Sequence, residues 1–301
     1  MLLEKSGARE KMIHEIFKMN CPGSLENSRF EVFIQEPAAE LAVRKRPMII
    51  ICPGGAYAYT SPREAEPVAY KLMAEGYNVG ILYYSCAPAK YPVALSEAAS
   101  CFMTVRKNAS KWQVDKKAVL IMGFSAGGHL AASYACYWND PKIAEAAGLK
   151  GSAEVLRPNG QILCYPVITS GKYAHTGSID NLCGDNKALR KKMSLEKAVN
   201  SDTPPAFIWH TYLDNTVPVD NSLLYLSALR EKNIPAEFHM YSQGWHGLSL
   251  ADELSLSRYG AEDFPLVTTW IGLCINWLKS NYPLTVKADL KGKEPWRVKE
   301  K

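Results

Sequence analysis

The longest stretch of this chain free of Asp, Glu, Lys and Arg, residues 118–139, is the feature that most restricts its fold. Its length is that of a membrane span, but three Gly, two Ser and a His interrupt it. It divides instead into an apolar run at 119–123, a Gly-rich turn and a helical pattern at 127–138. A strand that is apolar at successive positions is covered on both faces, and Met48-Ile49-Ile50-Ile51 has the same character. Central strands of a parallel sheet meet that condition.

The remainder of the chain fits the same plan. Short β-branched or aromatic runs at 30–35, 48–52, 79–84, 161–165, 206–211 and 236–241 alternate with helical spacing at 63–75, 93–108, 221–232 and 264–280. The alternation predicts an α/β fold with a mostly parallel central sheet flanked by helices. One domain is expected over residues 1–301, with its core at about 28–284, an N-terminal leader at 1–27 and a basic tail at 285–301. Residues 169–205 hold Gly171, Gly177 and Gly184 and a charged run from Lys187 to Lys192. A connection of that length either serves a site as a lid or runs over the surface.

Composition removes several function classes. At 301 residues, 47% apolar and 22% charged, the chain buries a substantial core and is neither a disulfide scaffold nor disordered. Six basic and three acidic residues in 287–301 supply much of the net charge of +5, so the body carries no footprint for nucleic acid. The first five residues include Glu4 and Lys5 where a secretory signal needs an apolar run, so the expected location is cytoplasmic, with no membrane attachment. The eight cysteines are scattered, lack C-x-x-C spacing and read as reduced, buried small hydrophobes, and no metal or cofactor is expected. The oligomeric state, homo-oligomers included, is not legible.

Gly123-Phe124-Ser125-Ala126-Gly127 is a G-x-S-x-G match set between the apolar strand and the following helix. The bland alternative is a serine that only caps the helix among small residues. The strand–turn–helix context instead favours a hydroxyl lifted above the sheet edge as a nucleophile. Such a hydroxyl needs a base, and His246 in Gly244-Trp245-His246-Gly247 follows the last strand. His210 and His239 lie inside strands, His129 points along its own helix, and His14 and His175 belong to no motif. The orienting acid belongs after the strand at 206–211, where Asp214 stands; Asp220, at the start of a helix, reads as a cap. The order Ser125, Asp214, His246 is then that of base-assisted nucleophilic catalysis.

Pro53-Gly54-Gly55-Ala56-Tyr57 follows the buried strand at 48–52. Its glycines free amides to face a tetrahedral oxygen. Gly55 or Ala56 would act beside Ala126 as oxyanion donors, Gly54 sets the turn, and Pro53 has no N–H to give. Tyr57, Tyr59, Tyr84, Tyr212 and Trp245 are candidate aromatic surfaces at the mouth of the site, or equally ordinary core-edge residues.

These segments, with Arg63-Glu64-Ala65-Glu66-Pro67, Gly128-His129-Leu130-Ala131, Pro204-Pro205-Ala206-Phe207 and Val217-Pro218, resemble the acetyl esterase and acetyl xylan esterase-like group of α/β-hydrolases, from about residue 30 to 283. The hormone-sensitive-lipase-like esterases are more distant kin. The resemblance implies the α/β-hydrolase fold without a large cap domain. It also implies a metal-free serine esterase acting on small acyl esters, often acetyl groups on sugars. Pro53-Gly54-Gly55-Ala56 stands where the lipase-like relatives carry H-G-G-G, and no large N-terminal cap is visible, which argues against bulky acyl or lipid substrates. Two alternatives share the fold: a serine peptidase of oligopeptidase type, for whose gating domain the chain has no room, and a non-catalytic binding module, which would be expected to have lost a member of the triad.

Overall fold

A computed structural model describes residues 12–36, 41–257 and 264–286. The strands are β1 (Ile13–Lys18), β2 (Arg29–Ile34), β3 (Val43–Cys52), β4 (Asn78–Tyr83), β5 (Val114–Phe124), β6 (Gly160–Cys164), β7 (Ala206–Thr211), β8 (Ala236–Tyr241) and β9 (Thr285–Val286). The helices are α1 (Glu66–Ala74), α2 (Val93–Asn108), α3 (Ala126–Tyr137), α4 (Pro141–Ala146), α5 (Thr176–Cys183), α6 (Lys187–Lys192), α7 (Asp220–Glu231) and α8 (Trp270–Asn281). The strand order is β1-β2-β4-β3-β5-β6-β7-β8, antiparallel for the first two pairings and parallel from β4 to β8. This is the mostly parallel sheet expected of an α/β-hydrolase.

Alternation along the central strands divides the core in two. Met48, Ile50, Val119 and Ile121 pack with Phe102, Leu130, Tyr134 and Leu229 of α2, α3 and α7. Ile49, Ile51, Leu120 and Met122 pack on the other face with Val68 and Leu72 of α1 and Trp270 and Cys274 of α8. Both faces of β3 and β5 are therefore dry, which is why those strands are apolar without alternation. The eight cysteines are all buried and unpaired. Among the described residues no helix is long and apolar enough to cross a membrane.

The two ends of the chain differ from expectation. Ile13–Lys18, inside the segment read as a leader, is an edge strand paired with β2 from Ile13 opposite Ile34 to Lys18 opposite Arg29. Its side chains alternate between half-buried and exposed, a weaker signal than a buried run. Thr285–Val286, assigned to the tail, pairs with the start of β3. The rest of the expected leader and tail, residues 1–11 and 287–301, lies outside the described residues.

Candidate active site

The site lies at the carboxyl ends of the parallel strands, where each loop leaving the sheet brings one group. At the end of β5 the backbone reverses into α3 through Ser125, whose φ of 52° is one that L-residues seldom adopt. Such a conformation costs about 1–3 kcal/mol and persists only where its surroundings over-determine it. The Ser125 N–H donates to Cys164 O at 3.0 Å, and its carbonyl accepts from the amides of His129 and Val167. Glycine is required on either side by close approach: a Cβ at Gly123 would lie 2.1 Å from Gly127 O, and one at Gly127 2.0 Å from Cys52 O. The hydroxyl does not cap α3. It lies 2.7 Å from His246 Nε2.

Asp214 follows β7 and is buried. Its Oδ1 accepts the amides of Thr216 and Val217 at 3.0 and 2.9 Å, and Oδ2 is 2.7 Å from His246 Nδ1. A carboxylate only accepts, so Nδ1 carries the imidazole proton and Nε2 is left to accept from Ser125. Burial pushes the Asp214 carboxyl up, but hydrogen bonds from His210, His246 and the Val217 amide, with the His246 charge, outweigh it and hold the group well below the usual carboxylate range.

His210 was expected to be no more than a satisfied core or surface histidine. It is buried, but it also abuts the acid: Nε2 donates to Val217 O at 2.9 Å and lies 3.3 Å from Asp214 Oδ2, while Nδ1 accepts from Ser222 Oγ at 2.8 Å. The four-residue spacing from His210 to Asp214 was the available signal.

The loop after β3 runs beside Ser125. Gly55 has φ +129°, and a Cβ there would sit 2.1 Å from Tyr59 O; Gly54 needs its missing side chain because Ser125 Cβ would lie 2.9 Å from it. Among the described residues the amides of Gly55, Ala56 and Ala126 have no acceptor. Gly55, Ala56, Ser125 and His246 line one cavity of about 290 Å³, closed by Tyr59, Ser61, Arg63, Glu64, His175 and Thr216. A neighbouring cavity of about 340 Å³ shares Arg63 and His246 and adds Trp245, Leu248, Leu256 and Phe264.

The five candidate aromatics separate into two groups. Tyr57 and Tyr84 are buried beneath the loop, their hydroxyls spent on His129 Nδ1 at 3.0 Å and Pro53 O at 2.8 Å. Neither offers a surface for a ring, which corrects the expectation for both. Tyr59, Tyr212 and Trp245 are exposed, at 62%, 61% and 49%. Burial holds His129 down at about 4, so it is neutral, tying Tyr57 to Met193 O through its two nitrogens.

Residues 169–205 reach the site. His175 caps α5 and lines the cavity around Ser125, and Asn181 Nδ2 donates to Ala56 O at 2.9 Å. His175 and Glu64 were not singled out as site residues from sequence, since neither lies in a motif that demands its chemistry. Asp220 is the first residue of α7 rather than its cap and is not part of the hydrogen-bonded relay. Among the described residues no three His, Cys, Asp or Glu side chains converge to hold a metal ion.

The BD-FAE family model matches residues 34–229. The endo-1,4-beta-xylanase B of Butyrivibrio fibrisolvens is 37% identical over 233 residues, covering 75% of this chain and 36% of that protein. An acetylxylan esterase of Xylanibacter ruminicola is 29% identical over 240 residues, covering 77% and 45%. The chain thus spans less than half the length of these two curated relatives. Among solved structures, an acetyl ester-xyloside bifunctional hydrolase from Caldicellulosiruptor lactoaceticus superposes with a TM-score of 0.74 at 34% identity, over 86% of this chain and 89% of that one.

Proposed function

Since the chain belongs to the BD-FAE family, we propose that it is a serine carboxylic ester hydrolase that removes short acyl groups, acetyl above all, from acetylated sugars or xylo-oligosaccharides through an acyl-enzyme. The observation that carries this reading is the relay of two 2.7 Å hydrogen bonds, Ser125 Oγ to His246 Nε2 and His246 Nδ1 to Asp214 Oδ2. Ser125 Oγ attacks the ester carbonyl carbon as its proton passes to His246 Nε2. The oxygen that becomes negative is received by the Ala126 amide and that of Gly55 or Ala56. Collapse of the tetrahedral intermediate expels the alcohol, which takes the proton from His246. Water, activated by the same imidazole, then releases the acid and restores Ser125.

The substrate side of the proposal rests on the cavity walls and on the named activities of the relatives. Around Ser125 the lining is Gly55, Ala56, Ser61, Arg63, Glu64, His175, Thr216 and Gly247, small or polar groups, with the Tyr59 ring as the large carbon surface beside them. Each CH₂ that found such surface would gain about 0.8 kcal/mol. Trp245, on the wall of the neighbouring cavity, and Tyr59, on the wall of the cavity around Ser125, are the surfaces proposed for the sugar; Tyr212 is exposed but lines neither cavity. The eight buried, unpaired thiols support a reducing, cytoplasmic compartment.

The test is an acyl-chain series of 4-nitrophenyl esters run beside acetylated xylo-oligosaccharides. The expected kcat/KM falls steeply beyond acetyl or propionyl, with acetate released from the oligosaccharides. Octanoyl esters cleaved better than acetyl esters, or oligosaccharides left intact while aryl acetates react, would overturn the substrate assignment.

The base must be neutral to accept the Ser125 proton, so kcat/KM is expected to rise with pH through the range where imidazoles deprotonate, about 6.5 for the free side chain. Asp214, held ionised far below that range, contributes no limb there. A flat profile between about pH 5 and 8 would count against a histidine base.

A further inference from the structure

Two loops from distant parts of the chain must hold still for this relay to act: the 53–57 loop beside the reacting oxygen, and the 244–251 loop that carries His246. One buried carboxylate reaches both. Glu64 Oε2 accepts the Gly54 N–H at 2.7 Å, Oε1 accepts the Tyr165 O–H at 2.6 Å, and the Tyr165 oxygen accepts the Ser249 N–H at 2.9 Å. Ser249 Oγ donates back to Arg63 O at 2.6 Å. The Tyr165 ring stands edge-on to the His246 ring, with centroids 5.2 Å apart and planes at 71°.

The Gly54 and Ser249 amides can only donate, so Glu64 Oε2 and the Tyr165 oxygen accept from them; with the carboxyl ionised, the Tyr165 O–H donates to Oε1. Glu64 is 4% exposed, and among the described residues no Lys or Arg lies within ion-pair distance of it. Burial pushes its carboxyl upward, opposed by the Tyr165 and Gly54 hydrogen bonds and by the His246 and Arg63 charges. A buried anion without an ion-pair partner is costly to the fold. Its position on the wall of the catalytic cavity, beside the one imidazole that must become a cation, gives it a use.

We propose that Glu64 is a positioning residue for the esterase reaction: it fixes the oxyanion loop through Gly54 and the His246 loop through Tyr165 and Ser249, and stands as a second anion that favours the imidazolium formed when Ser125 loses its proton. This rests on the roles proposed above for Ser125, Asp214 and His246. The charged and titratable groups around His246 are Asp214 after β7, Glu64 and Arg63 before α1, Tyr165 after β6 and His175 before α5. Around Glu64 itself the others are the Tyr84 hydroxyl and the Cys164 thiol, both buried and uncharged.

The test compares wild type, Glu64→Gln, Glu64→Asp and Tyr165→Phe on 4-nitrophenyl acetate across pH, with thermal unfolding of each. Gln keeps the length and loses the charge: kcat is expected to fall about ten- to hundredfold, below the roughly 10²–10³ cost of a donor removed outright, with KM little changed. The acid limb of its kcat/KM profile moves to lower pH, because the neighbouring cation has lost an anion. Asp keeps the charge but cannot span Gly54 and Tyr165 together, so kcat falls while the limb stays near the wild-type position. Tyr165→Phe cuts the link to Ser249 and lowers kcat with the limb unmoved.

A folded Glu64→Gln protein with wild-type kcat and an unmoved limb overturns the proposal. Should that variant fail to fold, wild-type kcat in Tyr165→Phe does so instead. Failure of the underlying reading looks different: wild type itself would not turn over the ester.

Discussion

Replacing Ser125 with Ala is expected to lower kcat by about 10⁴–10⁶, to the level left by binding and oxyanion donors alone. The fold should survive. The Ser125 hydroxyl caps nothing and its one hydrogen-bond partner among the described residues is His246, whereas the unusual backbone at φ 52° is held by the main-chain bonds to Cys164, Val167 and His129, which Ala retains. Ala is also no larger than Ser against Gly54, whose missing side chain is what makes room for the Ser125 Cβ. The measurement is kcat on 4-nitrophenyl acetate together with a thermal melt. More than a few per cent of wild-type turnover in a folded Ala variant would mean that another group is the nucleophile.

Asp214→Asn is expected to cost about 10⁴ in kcat, the size of the effect that a mis-set imidazole tautomer has in serine proteases. The surroundings decide which way the new amide turns. Oδ1 accepts two backbone N–H groups, from Thr216 and Val217, so the amide oxygen must stay there and the NH₂ must face His246. His246 Nδ1 then becomes an acceptor, its proton moves to Nε2, and Nε2 can no longer take the Ser125 proton. The same NH₂ meets the Nε2–H of His210, so a second contact is lost. Asp220→Asn is the control. Asp220 opens α7, where a negative side chain favours the helix N-terminus by about 0.3–1 kcal/mol, so stability is expected to fall slightly and turnover to stay unchanged. Greater damage from Asp220→Asn than from Asp214→Asn would show that the acid has been misassigned.

Asp214 also ties stability to pH. Its folded-state carboxyl titrates well below an unfolded carboxylate at about 3.9, so the stabilisation it contributes is complete above that pH and is lost as pH falls below it.

How much of this was legible in the sequence follows from the range of each interaction. The turn at Ser125 is local: Gly123 and Gly127 are excluded from carrying side chains by atoms of the same turn and of the strand beside it, so a pentapeptide between an apolar strand and a helix already declares it. The central strands declared themselves because both their faces are dry. The order Ser125, Asp214, His246 follows from strand order, since each residue sits in the loop after a strand of the parallel series.

The sequence by itself therefore determined the layered sheet, the elbow and the identity of the relay, because each of these is set by periodicity, turn sterics or chain order. Tertiary structure alone decided which side chains face the cavity and which lie beneath it. Tyr57 and Tyr84 look like Tyr59 in composition and differ from it only in what covers them. Glu64 meets Tyr165 across 101 residues and His175 enters the cavity wall by way of the insertion between β6 and β7. Edge strand β1, its side chains only half-buried, carried too weak an apolar pattern to separate it from a leader. Such pairings depend on how loops from separate strands close over one edge of the sheet, and no window of local sequence contains both partners.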